Sequence, residues 1–495
     1  MTPLRALTWL ALSAVLLVAS LVYAVIVWWA VFPAANKARR KKVLHALGIE
    51  HDDRLLAGLF HPYCNAGGGG ERVLWTATAC LQREEPKVIC IVYTGDVDAS
   101  KEEIISKVKA RFSIQLDPSR LHFVYLKKRY LVEDSTWKHF TLIGQSLGSV
   151  VLGYEAIRSF SPDVFIDTMG YAFTFPLVKL LARIPVGAYV HYPTISTNML
   201  QRVKARAAGH TNASAVSRSF LLSNAKLLYY ILFARMYSFC LRQADYIMVN
   251  SSWTQAHVNG LLGSDSTKAT SNPKSQKSKT AAIVYPPCDT KSLSSLPLAD
   301  RQNIILSLAQ FRPEKEHATQ LRFYKAFMEL VGQEKACQWK LVMAGSVRNA
   351  GDEKRVQMLQ ILSKELGISN NVQFVINAPF PEVRELLGKA SVGLSTMVDE
   401  HFGINVVEFM SAGLIPLVHA SAGPLLDIVT PYEGEPMGYH ATEVADFAQQ
   451  MLHISNMTRE QALSMRTRGR KAAEQRFNEK VFEDGWMQAW KCLAR

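Results

Sequence analysis

Short apolar runs alternate with longer stretches of mixed polarity along most of the chain. In the first half they occupy Val88 to Tyr93, Val164 to Ile166, Val186 to Val190 and Tyr246 to Val249. In the second half they recur at Ile304 to Leu308, Leu341 to Ala344, Val372 to Val375, Val392 to Leu394 and Ile415 to Val418. Continuous apolar strands bounded by polar, His or Gly turns are the mark of strands buried on both faces, and the stretches between them are long enough for helices. The rhythm predicts two doubly wound parallel α/β sheets in tandem.

The amino terminus departs from that rhythm. Leu7 to Phe32 is a run of 26 residues without a charge. At 1.5 Å per residue it reaches about 39 Å against a hydrocarbon core of about 30 Å, so it spans a bilayer with tilt. The apolar part of a cleaved leader would be only about 7–15 residues long. The run ends in Val27-Trp28-Trp29, an aromatic pair expected at a membrane interface. Lys37, Arg39, Arg40, Lys41 and Lys42 follow it, whereas Arg5 alone precedes it, so the positive-inside rule puts the rest of the chain in the cytosol. The N-x-[ST] triplets at Asn212, Asn250 and Asn456 would then not meet the glycosylation machinery.

Two further segments stand out. Residues 220 to 241 are strongly apolar but carry Lys226 and Arg235, which argues against a second span. They suit either a core helix or a helix lying on the bilayer face. Residues 263 to 280 are rich in Ser, Thr and Lys and lack the apolar surface to order themselves, so a flexible insertion is expected there. The organisation read from this is a membrane anchor with its basic flank over 1–45, an N-terminal domain over 46–285, a C-terminal domain over 286–475, and a last helix over 476–495 crossing back to the first domain.

With 495 residues the chain is too long for one small module. Hydrophobic residues at 48% and charged residues at 20% exclude a wholly disordered or multi-span protein. Lys and Arg exceed Asp and Glu by 56 to 42, which suggests anionic partners such as lipid headgroups, phosphorylated substrates or nucleic acid. The seven cysteines are scattered and form no C-x-x-C pair, which argues against a disulfide framework and a thiolate zinc site.

Four features carry candidate chemistry. Gly67 to Gly70 precede a helical start at Glu71, either as a tight turn or as a backbone cradle for phosphate at a helix N-terminus. Ile304 to Leu308 leads into Arg312-Pro313-Glu314-Lys315, where two cations at the carboxyl end of a parallel strand are either surface charges or partners for a diphosphate. Glu400 and Glu408 stand eight residues apart across a strand-to-helix junction. With a helix beginning near Gly403, Glu400 stays in the loop and Glu408 projects from the second turn, with free N–H groups between them. A carboxylate in the company of Val406, Val407, Phe409 and Met410 should be partnered or ligand-facing. Fourth, Val190-His191-Tyr192-Pro193 ends a strand, and His191 is either a packing residue or one that contacts a transferred sugar.

The Gly-rich turn in HPYCNAGGGGERVLW, the R-P-E-K loop, the E-x7-E element in DEHFGINVVEFMSAG and Ser421-Ala422-Gly423-Pro424 resemble the retaining, nucleotide-sugar-dependent glycosyltransferases of the GT-B fold. Together with the anchor they resemble more narrowly the endoplasmic-reticulum branch that adds the fourth and fifth mannoses of the dolichol-linked oligosaccharide from GDP-mannose. The resemblance implies two Rossmann-like domains facing across a cleft. It implies that Arg312 and Lys315 hold the donor diphosphate, Glu400 the hexose and Glu408 the ribose. Gly69, Gly70 and the N–H groups of Phe402 and Gly403 would approach the diphosphate, and His191 matches the family's active-site histidine. The expected partners are GDP-mannose, a dolichol-diphosphate-linked oligosaccharide, the endoplasmic-reticulum membrane and other mannosyltransferases of the pathway, without nucleic acid. No cofactor or metal is expected, since no D-x-D ends a strand. The sequence departs from the family pattern at Glu316, where many relatives have Gly, and at Asp427, where many have Glu. The competing readings are a sister transferase with another nucleotide sugar, an epimerase or phosphorylase on similar sheets, and an inactive membrane-tethered binding protein.

Overall fold

A computed structural model describes residues 3–50, 53–195, 220–263 and 279–495. The insertion expected over 263–280 falls almost wholly outside the described residues.

The chain divides into two compact units. The first comprises Met1–Met248, Asn259–Thr280 and Met487–Arg495, and the second Val249–Val258 and Ala281–Trp486. In the first, α1 (Pro3–Ala46) is followed by β1 (Leu55–Phe60), α2 (Gly69–Glu84), β2 (Val88–Thr94), α3 (Lys101–Phe112), β3 (Leu121–Tyr125), α4 (Thr141–Ser159), β4 (Val164–Asp167), α5 (Thr174–Leu181), β5 (Val186–Val190), α6 (Phe220–Leu241) and β6 (Tyr246–Val249); then comes α7 (Ser252–Leu262), whose residues up to Val258 are counted with the second unit. A short β7 (Ala282–Ile283) closes the sheet, whose order is β3-β2-β1-β4-β5-β6-β7. The pairs β1–β2, β2–β3, β1–β4 and β4–β5 are parallel. Every residue of β2 and β4 is buried, as a sheet covered on both faces requires.

The second unit repeats the plan. It holds α8 (Thr290–Ser294), β8 (Gln302–Leu308), α9 (His317–Val331), β9 (Lys340–Gly345), α10 (Ala350–Glu365), β10 (Val372–Ile376), α11 (Phe380–Lys389), β11 (Ala390–Ser395), α12 (Ile404–Ala412), β12 (Ile415–His419), β13 (Tyr439–Ala441), α13 (Val444–Ser455), α14 (Arg459–Arg476) and α15 (Glu479–Leu493). Its sheet order is β10-β9-β8-β11-β12-β13. Gly393 lets α12 sit close on the sheet, because a Cβ there would lie 2.3 Å from Phe409 Cγ. Phe409 is fully buried as a result, a contribution of about 2–3 kcal/mol.

In both sheets the strand order reverses beside the first strand, between β1 and β4 and between β8 and β11. Such switch points open a crevice outside the carboxyl ends of the strands, the usual ligand site of doubly wound sheets.

The first helix is longer than the apolar run. From Trp9 to Val31 its described large apolar side chains are mostly exposed, and from Phe32 onward it docks on the first unit. The Trp28 and Trp29 indoles donate to Leu181 O (3.1 Å) and Leu180 O (2.8 Å), carbonyls at the end of α5 that lack helical partners. Asn36 and Ser161 exchange two hydrogen bonds of 2.9 Å, and Arg40 grips Asp163 through both carboxylate oxygens. The seven cysteines are all free thiols, five of them buried.

Candidate active site

Each unit gathers its sequence-predicted residues at its own switch point. In the first unit, His61 follows the end of β1, Asp167 ends β4 with Thr168 next to it, and His191 follows the end of β5. Thr168 joins the two histidines. Its hydroxyl donates to Phe60 O (3.2 Å), so the 2.7 Å contact with His61 Nδ1 has the ring nitrogen as donor. Its carbonyl can only accept, so His191 Nε2, at 3.0 Å, carries a proton. His61 Nε2 and His191 Nδ1 are left as lone-pair nitrogens. His61 Nε2 is buried without a hydrogen-bond partner among the described residues. Burial, and the nearby His191, push the His61 imidazole down to about 3, and burial holds His191 at about 4 against the Thr168 carbonyl. Both rings are therefore neutral at physiological pH.

The glycine loop packs against this pair. Gly67 has φ +84°, which a side chain resists. Gly69 and Gly70 form the first residues of α2, whose leading N–H groups have no intrahelical acceptor. A Cβ on Gly70 would lie 3.7 Å from His191 Nε2 and 3.8 Å from His61 Cε1. Gly68 N donates to the buried Glu71 carboxylate at 2.7 Å. Asp167, fully buried, accepts from the N–H groups of Met169 and Gly170 and so shapes the turn that carries Thr168. Burial outweighs those bonds and raises its carboxyl to about 7.

In the second unit the loops after β8 and β11 meet. Lys315 Nζ lies 2.5 Å from Glu400 Oε2 and 3.1 Å from Met397 Sδ. Arg312, on the same loop, is half-buried and has Glu314 as a loose partner at 3.7 Å. The loop is held from below: Gln320 donates to Thr396 Oγ1, which approaches the carbonyls of Lys315 and Glu316. Glu316 has φ +52°, the left-handed region that favours glycine.

The helix after Glu400 begins one residue past Gly403, at Ile404. Gly403 has φ +113° and is buried beside Phe402. Glu408 is the fifth residue of α12 and half-buried among Val406, Val407, Phe409 and Met410. Asn405 ties the helix start to Leu308 O, at the end of β8 (3.2 Å). Gly423 N donates to Glu400 O, and a Cβ on Gly423 would lie 2.3 Å from Phe402 O, so glycine is required there. Ser421 supports the loop from the other side, accepting from Asp399 N and contacting His419 Nδ1. Asp427 accepts from the backbone and hydroxyl of Ser252 and from Tyr285 OH (2.9 Å). Its short carboxylate thus caps the N-terminus of α7.

Arg312, Lys315, Glu400, Phe402, Gly403 and Glu408 all belong to the second unit, and Gly69, Gly70 and His191 to the first. Sequence reasoning missed His61, Thr168, Thr396 and Gln320. Only the position of His61, ten residues before Glu71 in the glycine-rich string, offered a signal.

Residues 54–262 match the family described as ALG11 mannosyltransferase N-terminus, and residues 289–475 match Glycosyl transferases group 1. The chain is 45% identical over 449 residues to the GDP-Man:Man(3)GlcNAc(2)-PP-Dol alpha-1,2-mannosyltransferases of Mus musculus and Homo sapiens, covering 90% of this chain and 88% of each relative. The Neurospora crassa enzyme of that name is 45% identical over 89% of this chain and 80% of its own. Among solved structures, a glycosyltransferase from Rickettsia africae superposes with a TM-score of 0.58 at 11% identity, covering 90% of this chain and 99% of that one. Anabaena HepE with UDP and glucose gives 0.56 at 14%, covering 88% and 99%. These structures establish the fold, two parallel sheets of GT-B type. With two family matches spanning both units and a relative this similar over nine-tenths of its length, the chain belongs to the GDP-Man:Man(3)GlcNAc(2)-PP-Dol alpha-1,2-mannosyltransferase family of glycosyltransferases.

Proposed function

We propose that this chain transfers mannose from GDP-mannose, in α-1,2 linkage and with retention, to a dolichol-diphosphate-linked oligosaccharide on the cytosolic face of the endoplasmic reticulum. The observation that carries the reading is the Lys315–Glu400 pair at the β8/β11 switch point, in a chain 45% identical over 90% of its length to enzymes of that name.

In this reaction the bond from the mannose anomeric carbon to the GDP phosphate oxygen breaks, and its electron pair leaves with GDP. A bond forms from the acceptor hydroxyl oxygen to the same carbon, and the hydroxyl proton passes to the departing phosphate oxygen on the same face. That route keeps the α configuration without a covalent enzyme intermediate. Charge on the departing diphosphate is met by Arg312, Lys315 and the N–H groups of Phe402 and Gly403 just before α12, with Gly69 and Gly70 presenting backbone from α2. Glu400 orients mannose hydroxyls and Glu408 the ribose. When donor binds, Lys315 exchanges part of its contact with Glu400 for phosphate, freeing a carboxylate oxygen for the sugar. Neutral His191, with Nδ1 as acceptor, takes a mannose hydroxyl. Neutralisation by these groups needs no resident metal.

Membrane anchoring through the apolar part of α1 places the first unit beside its lipid-linked acceptor. The decisive assay supplies radiolabelled GDP-mannose and a lipid-linked trimannosyl acceptor to the purified full chain. Two successive additions sensitive to α-1,2-mannosidase are expected. Transfer from another nucleotide sugar in preference to GDP-mannose would replace the reading with that of a sister transferase.

A further inference from the structure

One face of α6 takes no part in the chemistry above. Ile231, Ala234 and Phe239 of α6, with Leu261 of α7, floor a cavity of about 460 Å³, and Arg235 and Arg242 stand on its rim. Among the described residues, no acidic side chain lines it. The Arg242 guanidinium donates to Ser238 Oγ (3.3 Å) and to Leu262 O, which leaves donors unused on a group with five. Among the described residues, no hydrogen bond or ion pair engages Arg235. Two cations over an apolar floor without a counter-charge make a site for an anion that carries a hydrocarbon chain.

The surroundings identify that anion. Leu228 (58% exposed), Leu232 and Met236 continue the apolar surface from Phe239 (61% exposed) beyond the cavity, over about 16 Å of helix. A single bound chain does not cover such a surface; a continuous lipid phase does. The same layer of helices carries the anchor. Phe173, at the start of α5, packs on Phe233 and Tyr237 of α6, while the far end of α5 receives Trp28 and Trp29 of α1. Tyr229 of α6 meets Phe140 at the start of α4, and Tyr154 near its end meets Trp28.

We infer that the α6–α7 groove binds an anionic phospholipid of the bilayer, its phosphate between Arg235 and Arg242 and an acyl chain along Ile231, Phe239 and Leu261. This inference rests on the membrane anchoring proposed above. It makes α6 a second contact with the lipid surface, beside α1.

The test uses the full chain in phosphatidylcholine vesicles containing a few per cent of a photoactivatable phosphatidylserine. Crosslinks are expected at residues 231–242 and 260–261, competed by unlabelled phosphatidylserine and not by added phosphatidylcholine. Arg235→Gln, an exposed substitution, should lower this labelling at least threefold while the thermal midpoint stays unchanged. Labelling that ignores Arg235→Gln, or that is equal with photoactivatable phosphatidylcholine, overturns the inference. Displacement by a polyprenyl diphosphate but not by phosphatidylserine also overturns it, and assigns the groove to the acceptor lipid. Carbonate extraction of the same vesicles reads the anchor separately: release of the chain would defeat the anchoring whatever the crosslinks show.

Discussion

Lys315 and Glu400, 85 residues apart in sequence, form a direct ion pair in which the ammonium and the carboxylate are both largely withdrawn from solvent. Each loop therefore brings a charge that the other neutralises until a ligand with its own charge and hydroxyls arrives. For Lys315→Ala, kcat should fall about 10²–10³-fold, the usual cost of losing one donor to a developing oxyanion. Leaving Glu400 without its partner costs about 1–3 kcal/mol of stability. Adding Glu400→Gln should restore the thermal midpoint without restoring turnover. A double variant that regains activity would make the pair structural.

Glu408 sits on the second turn of α12, half-buried among apolar neighbours. Glu408→Gln keeps the shape and removes the charge proposed above to grip a ribose. GDP affinity measured by calorimetry should weaken about tenfold, or about 1.4 kcal/mol. Unchanged affinity would end the ribose assignment.

Stability should depend on pH through His61, His191 and His317, held by burial at about 3, about 4 and about 4. Below about pH 6.5 the unfolded chain takes up these protons while the folded chain does not, so stability falls as pH drops toward 4, by up to about 1.4 kcal/mol per unit per histidine. Asp167, raised to about 7, acts in the opposite sense between about pH 4 and 7, because the folded chain keeps a proton the unfolded chain releases. Three groups against one leave a net loss on acidification. Urea midpoints from pH 4.5 to 7.5 should show it, and His61→Gln should flatten the slope.

Two glycines separate fold from function. In Gly423→Ala the new methyl would lie 2.3 Å from Phe402 O, so a backbone shift costing about 1–3 kcal/mol should lower the thermal midpoint. In Gly70→Ala the methyl makes only ordinary contacts at 3.7 and 3.8 Å, and the midpoint should hold while turnover falls. Full activity in Gly70→Ala would remove this glycine from the donor site.

Orientation can be read from Asn456. It is exposed at the end of α13, in the triplet Asn456-Met457-Thr458, whereas Asn250 is buried and bonded to Thr254. A cytosolic second unit predicts an unmodified Asn456 peptide by mass spectrometry. A glycan there would reverse the topology.

The nine strands read from apolar runs all exist, with boundaries within two residues. The strand that organises the first sheet escaped notice. β1, Leu-Leu-Ala-Gly-Leu-Phe, has no β-branched residue, and its Gly58 is set by the close approach of Pro162, a neighbour more than a hundred residues away. β3, β7 and β13 also went unread: β7 and β13 are only two and three residues long, whereas β3, Leu-His-Phe-Val-Tyr, is as long as β5. Motif spacing identified Arg312, Lys315, Glu400 and Glu408 as candidates, because local order places charges at strand ends. It could not reveal that Lys315 pairs with Glu400, nor that one threonine fixes the tautomers of two histidines. Those facts depend on which strands become neighbours. Asp427 caps α7, a role not visible as composition, whereas the left-handed backbone at Glu316 favours glycine and gives no reason for Glu.

The docking of Trp28, Trp29, Asn36 and Arg40 bears on how the enzyme can be prepared without its lipid-soluble segment. A chain trimmed after residue 46 would strand the Leu180 and Leu181 carbonyls, the main chain of Ser161 and the Asp163 carboxylate. A cut just before Trp28 discards most of the greasy stretch and keeps all four of those attachments.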